Sequence, residues 1–214
     1  LISRVVPSPP SPFPKINKRT LRAGTELHRN HLSSFGAAQF NPCMGQRTRF
    51  APFNDGGGNC VPTLYAATSR EAAAFESIFH DIEPTSAFKT VRLATVEQRT
   101  ISIIVPKRNL VLASLFAPDL KAWGISRSDL IETSKSTYAD TGSWAQAIHG
   151  ASPDVDGLIW TSRQCDPDQC IVLFEDRIAE DEFEIGDSLP VASNAGLLLE
   201  LRDYGLRAGI TIIS

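Results

Sequence analysis

No stretch of the 214-residue chain approaches the roughly 18 consecutive apolar residues that a membrane span needs, and its start lacks the apolar core of a signal peptide. A soluble, cytoplasmic protein without a membrane partner is expected. An excess of basic charge is also missing, since 21 Lys and Arg stand against 24 Asp and Glu, for a formal net charge of −3. Neutralising nucleic-acid phosphates requires clustered cations, so direct nucleic-acid binding is not expected. The basic residues between Lys15 and Arg29 have no interleaved aromatics and read as a solvated arm. Cysteine is scarce, with four in the chain, which fits reduced thiols rather than a disulfide scaffold. Cys43, Cys60, Cys165 and Cys170 do not show the short paired spacing of zinc sites, and no metal is expected. There is no G-x-G-x-x-G and no phosphate-loop lysine motif, which argues against Rossmann dehydrogenases and P-loop enzymes.

What is present is a globular composition, 42% hydrophobic and 21% charged, with nothing that demands two domains. Residues 7–14, Pro-Ser-Pro-Pro-Ser-Pro-Phe-Pro, read as an extended polyproline-like arm. Residues 1–19 are taken as that arm and 20–214 as a single domain. Residues 21–53 read as strands broken by long loops. Segments 101–105 and 110–113 are expected to pair across Pro106-Lys107-Arg108-Asn109, and helices are expected over 128–134 and 140–149, the second carrying Trp144 and Ile148 at helical spacing. Segments 157–162 and 170–174 are apolar and short enough to be buried strands at the centre of a sheet. A late helix over 197–204, capped by Asn194 and stopped by Gly205, precedes a closing strand at 210–213. With no repeat and no steady β-α-β alternation, an α+β fold is expected.

The most informative segment surrounds Glu76. Thr63 to Ala67 is partly β-branched and aromatic, bounded by Gly56-Gly57-Gly58 and Pro62, and reads as a strand. Thr68 and Glu71 have capping-box spacing. The expected helix then carries Ala72, Phe75, Ile78, Phe79 and Ile82 on one face and ends at Pro84. At about 100° per residue, Glu76 borders that face. A lone helix glutamate is more often simply solvated, so the segment gains weight only in company.

That company is Arg29 in Leu-His-Arg-Asn-His31, Arg49 in Thr-Arg-Phe50, Tyr65 in Thr-Leu-Tyr-Ala-Ala and Ser162 in Asp156-Gly-Leu-Ile-Trp-Thr-Ser162. In this order the chain resembles the RES-domain family, named for an arginine, a glutamate and a serine, over about residues 20 to 178. The resemblance implies an α+β fold like the ADP-ribosyltransferase toxins, with a split mixed β-sheet and flanking helices. It also implies NAD as substrate and the role of toxin in a bacterial toxin–antitoxin pair, with an Xre/ParS-like antitoxin covering the active site. Two departures stand out. Many short members have Gly-Gly-Arg-Trp-Asn where this chain has Gln-Arg-Thr-Arg-Phe, which leaves Arg47 a rival to Arg49. The chain also adds an N-terminal arm and residues between about 84 and 150, suited to holding a protein substrate or bracing the partner.

The residue types fit that chemistry on their own terms. Breaking the nicotinamide–ribose bond builds an oxocarbenium-like cation on the sugar, and one fixed carboxylate, Glu76, can hold the ribose hydroxyls and oppose the charge. Nicotinamide departs neutral, so no general acid is needed. Arg29 and Arg49 offer guanidinium forks to the pyrophosphate. Tyr65 supplies an aromatic face and a hydroxyl, while Ser162 is placed to bond the ribose or to position Glu76. His31 is a candidate substrate contact and His80 is read as structural. The expected reaction transfers ADP-ribose to water or phosphate. The alternatives are mono-ADP-ribosylation of a protein acceptor and a silent partner-binding module. Many arginine-modifying transferases carry Glu-x-Glu, whereas Glu76 is followed by Ser77 and Ile78.

Overall fold

The computed structural model describes residues 6–214. The two apolar runs read as central strands are β7 (Gly157–Thr161) and β8 (Gln169–Phe174), paired antiparallel with Leu158 opposite Val172 and Trp160 opposite Cys170. Gly157 permits that pairing, because a Cβ there would lie 2.1 Å from Val172 O. β8 also pairs with β3 (Thr63–Ala67), whose bounds are those expected.

Around this centre the large sheet runs β1 (Lys18–Leu21), β6 (Leu110–Ser114), β7, β8, β3, β2 (Leu27–Leu32), β5 (Arg99–Pro106) and β9 (Phe183–Pro190). Its pairings are antiparallel except β6 with β7. β4 (Thr90–Arg92) and β10 (Thr211–Ile213) form a separate parallel pair. Helices α1 (Arg70–Phe75), α2 (Leu93–Glu97), α3 (Ala117–Ala122), α4 (Arg127–Leu130), α5 (Tyr138–Ala151) and α6 (Ala195–Arg207) flank the sheet, giving the expected α+β fold with a split mixed sheet.

The expected β5–β6 hairpin is not formed. Both strands exist, but β5 pairs with β2 and β9, and β6 with β1 and β7. Residues 107–109 alone connect two strands far apart in the sheet order, so the sheet must curl until its ends meet. One apolar cluster confirms the curl by uniting Ile104 and Phe183 with Leu110, Leu112, Ile159 and Leu173. The opposite face packs Trp160, Val172 and Phe174 against α1, α5 and α6 through Phe75, Trp144, Ile148, Leu197 and Leu201.

Several local expectations are also corrected. Ser69, not Thr68, caps α1, accepting from Ala72 N at 3.0 Å. Thr68 Oγ1 is taken by Gln169 N at 2.9 Å, so β8 claims the hydroxyl that would have capped the helix. α1 ends at Phe75, well short of Pro84. The helix expected over 128–134 shrinks to the single turn of α4. Asn194 does cap α6, accepting from Leu197 N at 2.8 Å. Gly205 lies inside that helix, close to Phe79 and Ile210 O, and Gly209 at φ +72° ends the segment.

The reduced-thiol expectation fails for one pair, since Cys43 and Cys60 form a disulfide with Cα atoms 6.4 Å apart. With Cys43 and Cys60 so joined, the four cysteines do not form one metal site. Cys165 and Cys170 are free and buried. The basic side chains Lys15, Lys18, Arg19 and Arg22 are exposed, as expected of a solvated stretch, and Arg29 alone of the basic run is buried, while the proline-rich segment before them lies against two tryptophans. Trp144 Nε1 donates to Pro7 O at 2.7 Å, Trp123 Nε1 to Lys15 O at 3.1 Å, and Phe13 sits edge-on to both indoles. The boundary at residue 19 falls inside β1, and residues 1–5 lie outside the described residues.

Candidate active site

β2 and β3 meet at one residue pair, His28 with Ala67. Beyond it they splay, because Thr63 turns to Asn41, with Asn41 N donating to Thr63 O at 2.8 Å. The split opens a cleft of about 410 Å³ walled by β2, β3, the 41–52 loop and the turn after α1. Arg29, His31, Arg49, Tyr65 and Glu76 all line it, as do Arg47 and His80.

Glu76 stands at the C-terminus of α1, where the short helix ends and its side chain reaches the cleft. Oε1 accepts from Ser162 Oγ at 2.6 Å and from Arg163 N at 3.0 Å. No described residue bonds Oε2, which leaves that oxygen for a ligand. Ser162 itself is fully buried. Its hydroxyl gives its proton to Glu76 and accepts from Gln164 N and Cys165 N at 3.1 and 3.0 Å. Of the two roles open to Ser162, the geometry gives positioning of Glu76; it does not line the cleft and cannot bond a ribose there.

Arg49 is buried, with Nη1 donating to Thr133 Oγ1 at 2.8 Å and Cζ 5.5 Å from the Tyr138 ring centroid. Nη2 has no partner among the described residues. Burial pulls its pKa below the ordinary arginine value, opposed by the nearby Tyr138 hydroxyl. Arg47 is exposed and reaches toward Gly142 on α5, so Arg49 is the inner and Arg47 the outer of the two. Tyr65 positions this loop, its hydroxyl accepting from Thr48 Oγ1 at 2.9 Å and Phe50 N at 3.0 Å. Burial pushes its pKa up to about 12, so it stays a neutral phenol.

Arg29 donates through Nη1 to Ala37 O at 2.7 Å and Gly36 O at 3.3 Å, and burial brings its pKa down to about 10. It remains a cation at neutral pH. His31 contacts Leu32 O through Nδ1 at 3.0 Å and Ser102 Oγ through Nε2 at 2.8 Å. A carbonyl only accepts, so Nδ1 carries the proton and both ring nitrogens are engaged. That leaves no nitrogen for the substrate contact expected of His31.

The structure adds residues that the sequence did not single out. Asn30 and Arg99 line the cleft, and Asn30 Oδ1 and Nδ2 and Arg99 Nε are buried without partners. Thr133 ties two arginines together, accepting from Arg49 Nη1 and, through its carbonyl, from Arg163 Nη1 at 3.0 Å. Tyr138 and Lys135 close the far wall. None of these has a recognisable spacing; the adjacency of Asn30 to Arg29 was the one signal available. Five cationic side chains, Arg29, Arg47, Arg49, Arg99 and Lys135, line the cleft against Glu76 and Asp81. Lys135 is paired with Asp81, and among the described residues none of the four arginines forms a salt bridge.

Comparison with known proteins follows the same lines. A solved structure described as the crystal structure of the M. tuberculosis MbcT–MbcA toxin–antitoxin complex is similar at 18% identity over 86% of this chain and 92% of that one, with a TM-score of 0.59. That likeness establishes a shared fold. No curated protein matches the chain. The model of the RES domain matches residues 26–193, most of the chain and every candidate site residue. The protein belongs to the RES domain family.

Proposed function

We propose that the protein is the toxin of a bacterial toxin–antitoxin pair, acting in the cytoplasm by cleaving the nicotinamide–ribose bond of NAD and passing ADP-ribose to water or phosphate. The observation that carries this reading is the Glu76 carboxylate, which lines the cleft and is fixed through Oε1 by Ser162 and Arg163 N, with no described residue bonded to Oε2, in a cleft whose arginines form no salt bridge among the described residues. Burying unpaired guanidinium groups costs stability. A site that keeps them is suited to a dianionic ligand such as a pyrophosphate.

In the proposed reaction Arg49 and Arg29 hold the pyrophosphate and Tyr65 offers its ring to the nicotinamide or the adenine. Glu76 then opposes the positive charge that develops on the ribose as nicotinamide leaves. Ser162 keeps the carboxylate from rotating away. NAD serves as substrate, and no metal enters the scheme. The MbcT–MbcA structure is a toxin–antitoxin complex; by analogy we assign this chain an antitoxin partner of Xre/ParS type that covers the cleft.

The test is nicotinamide release from NAD by the purified chain freed of any partner, with and without phosphate. Glu76→Gln keeps the shape and removes the charge, and is expected to lower turnover by about 10²–10³-fold. Incubation with a cell lysate and labelled NAD decides the acceptor, since labelled protein would assign mono-ADP-ribosylation instead. Toxicity in cells that survives Glu76→Gln would sink both enzymatic readings and leave a partner-binding module.

A further inference from the structure

After Glu76 the backbone completes one tight turn, with Ile78 N and Phe79 N both donating to Ala74 O at 2.8 and 3.2 Å. The turn delivers His80 and Asp81 to the same cleft as Glu76. Gln164 Nε2 donates to His80 O at 3.0 Å and fixes the turn in place. His80 Nδ1 lies 2.8 Å from Asp81 Oδ1, and its Nε2 lies 2.9 Å from the Tyr138 hydroxyl. The Asp81 carboxylate can only accept, so Nδ1 carries the proton, and Nε2 of the neutral imidazole accepts from Tyr138. Lys135 Nζ donates to the other oxygen of Asp81. Asp81, His80 and Tyr138 therefore form a directed chain ending at a phenol on the cleft wall. The charged groups facing Tyr138 are Arg49, Arg163, Asp81 and Glu76. Nothing in the chemistry assigned to Glu76 uses this chain.

We propose that Tyr138, backed by His80 and Asp81, removes the proton from a hydroxylic acceptor, water first of all, as it attacks the ribose carbon. This rests on the NAD-cleavage reading and deepens it by naming the acceptor class. The bond between ribose carbon and nicotinamide nitrogen breaks, and its electron pair leaves on nicotinamide. The water oxygen forms the new bond to carbon. One water proton passes to the Tyr138 oxygen while the tyrosine proton passes to His80 Nε2. The resulting imidazolium faces the Asp81 carboxylate and returns its proton to solvent. Tyr138 touches the acceptor and is the catalytic residue of the three; His80 and Asp81 act through it. Burial raises the Tyr138 pKa, so the phenol alone is no base and the imidazole behind it is required. An acceptor that arrives as an anion has no proton to lose and bypasses the chain.

The experiment compares two acceptors, water and added azide ion, in wild type, Tyr138→Phe, His80→Gln and Asp81→Asn. The two products, ADP-ribose and its azide adduct, are separated and counted. Tyr138→Phe and His80→Gln are expected to lower ADP-ribose formation by about 10²-fold, while azide transfer and KM for NAD stay within about threefold of wild type. Asp81, 59% exposed and remote from the core, should give a loss of the same kind, about tenfold, without risk to folding. Parallel loss of both products in all three variants would show a structural role and overturn the proposal, as would wild-type hydrolysis by Asp81→Asn and His80→Gln. Absence of nicotinamide release by wild type would overturn the reading at Glu76, and this inference with it.

Discussion

Replacing Ser162 by alanine separates a fixed catalytic carboxylate from a glutamate that happens to border a cleft. The hydroxyl makes three hydrogen bonds, donating to Glu76 Oε1 at 2.6 Å and accepting from Gln164 N and Cys165 N at 3.1 and 3.0 Å. It has no contact with solvent, so water does not replace it. A bond to a charged group is worth about 1.5–3 kcal/mol, and orphaning a buried amide costs about 1–3 kcal/mol. Allowing for relaxation of the loop, Ser162→Ala should lose about 3 kcal/mol, or roughly 6–12 °C in Tm for a chain of this size. Glu76 retains its bond from Arg163 N but gains rotational freedom. If half of the lost hydrogen-bond energy was aligning the carboxylate with the ribose cation, kcat for nicotinamide release falls about tenfold. KM for NAD should not move, because Ser162 does not line the cleft. Ser162→Thr, which keeps the hydroxyl, should restore part of both losses. A rise in KM at unchanged kcat would refute the reasoning by putting Ser162 in contact with substrate, and so would an unchanged melting temperature.

Three further outcomes follow from individual contacts. Cys60→Ser opens a loop of 17-residue separation and should cost about 3 kcal/mol on loop-closure grounds; melting curves with and without dithiothreitol check this, and only the wild type should respond to the reductant. Arg49→Lys keeps the charge but loses the planar fork, so KM for NAD should rise about tenfold, or ~1.4 kcal/mol, read by steady-state kinetics against an unchanged KM if Arg49 does not hold the pyrophosphate. His31 has its pKa lowered by burial, so between the ordinary histidine value of about 6.5 and its lower folded value the unfolded chain binds a proton that the native state does not. Stability should therefore fall as pH drops below about 6.5, by up to about 1.4 kcal/mol per pH unit from this group; urea titrations across pH 7 to 5 should show a shallower fall in His31→Asn.

Elements whose identity is written in a few adjacent residues were legible. β3, β7 and β8 are short β-branched and apolar runs between turn residues, and each lies where its pattern places it. Asn194 caps α6 because the signal sits one residue before the helix. What failed depended on distant partners. Thr68 and Ser69 are equivalent caps by sequence, and only β8, delivering Gln169 N to Thr68, decides between them. The short 107–109 link reads as a hairpin turn, yet the curl of the whole sheet gives β5 and β6 different neighbours. The Cys43–Cys60 pairing depends on a loop returning on itself, through the Asn54–Cys60 and Asn41–Thr63 bridges. At the site, residue type and order placed Arg29, Arg49, Tyr65 and Glu76 around one cleft. They left open whether Ser162 bonds the ribose or positions the carboxylate, which the 2.6 Å bond to Glu76 decides, and they did not reveal that His31 has both nitrogens occupied. The Tyr138–His80–Asp81 chain was beyond reach for the same reason, since Tyr138 lies 58 residues from His80.

The disulfide bears on where such a site can work. The loop that carries Arg49 is tied down at several independent points: the Tyr65 hydroxyl accepts from Thr48 and Phe50, and Thr141 Oγ1 donates to Arg49 O. Arg49 itself is anchored to Thr133, and Phe50 is fully buried edge-on to Trp160. The Cys43–Cys60 link closes the base of the same loop but touches none of these contacts. In a reducing cytoplasm, where such bonds are rarely kept, the link can open and raise the entropy of the unfolded chain while the native contacts around Arg49 persist. Its expected effect is thus on the unfolding equilibrium rather than on the geometry that Arg49 presents to the cleft. The proposed cytoplasmic action and the disulfide are compatible on that basis, and the reductant that lowers the melting temperature of the wild type should leave its KM for NAD unchanged.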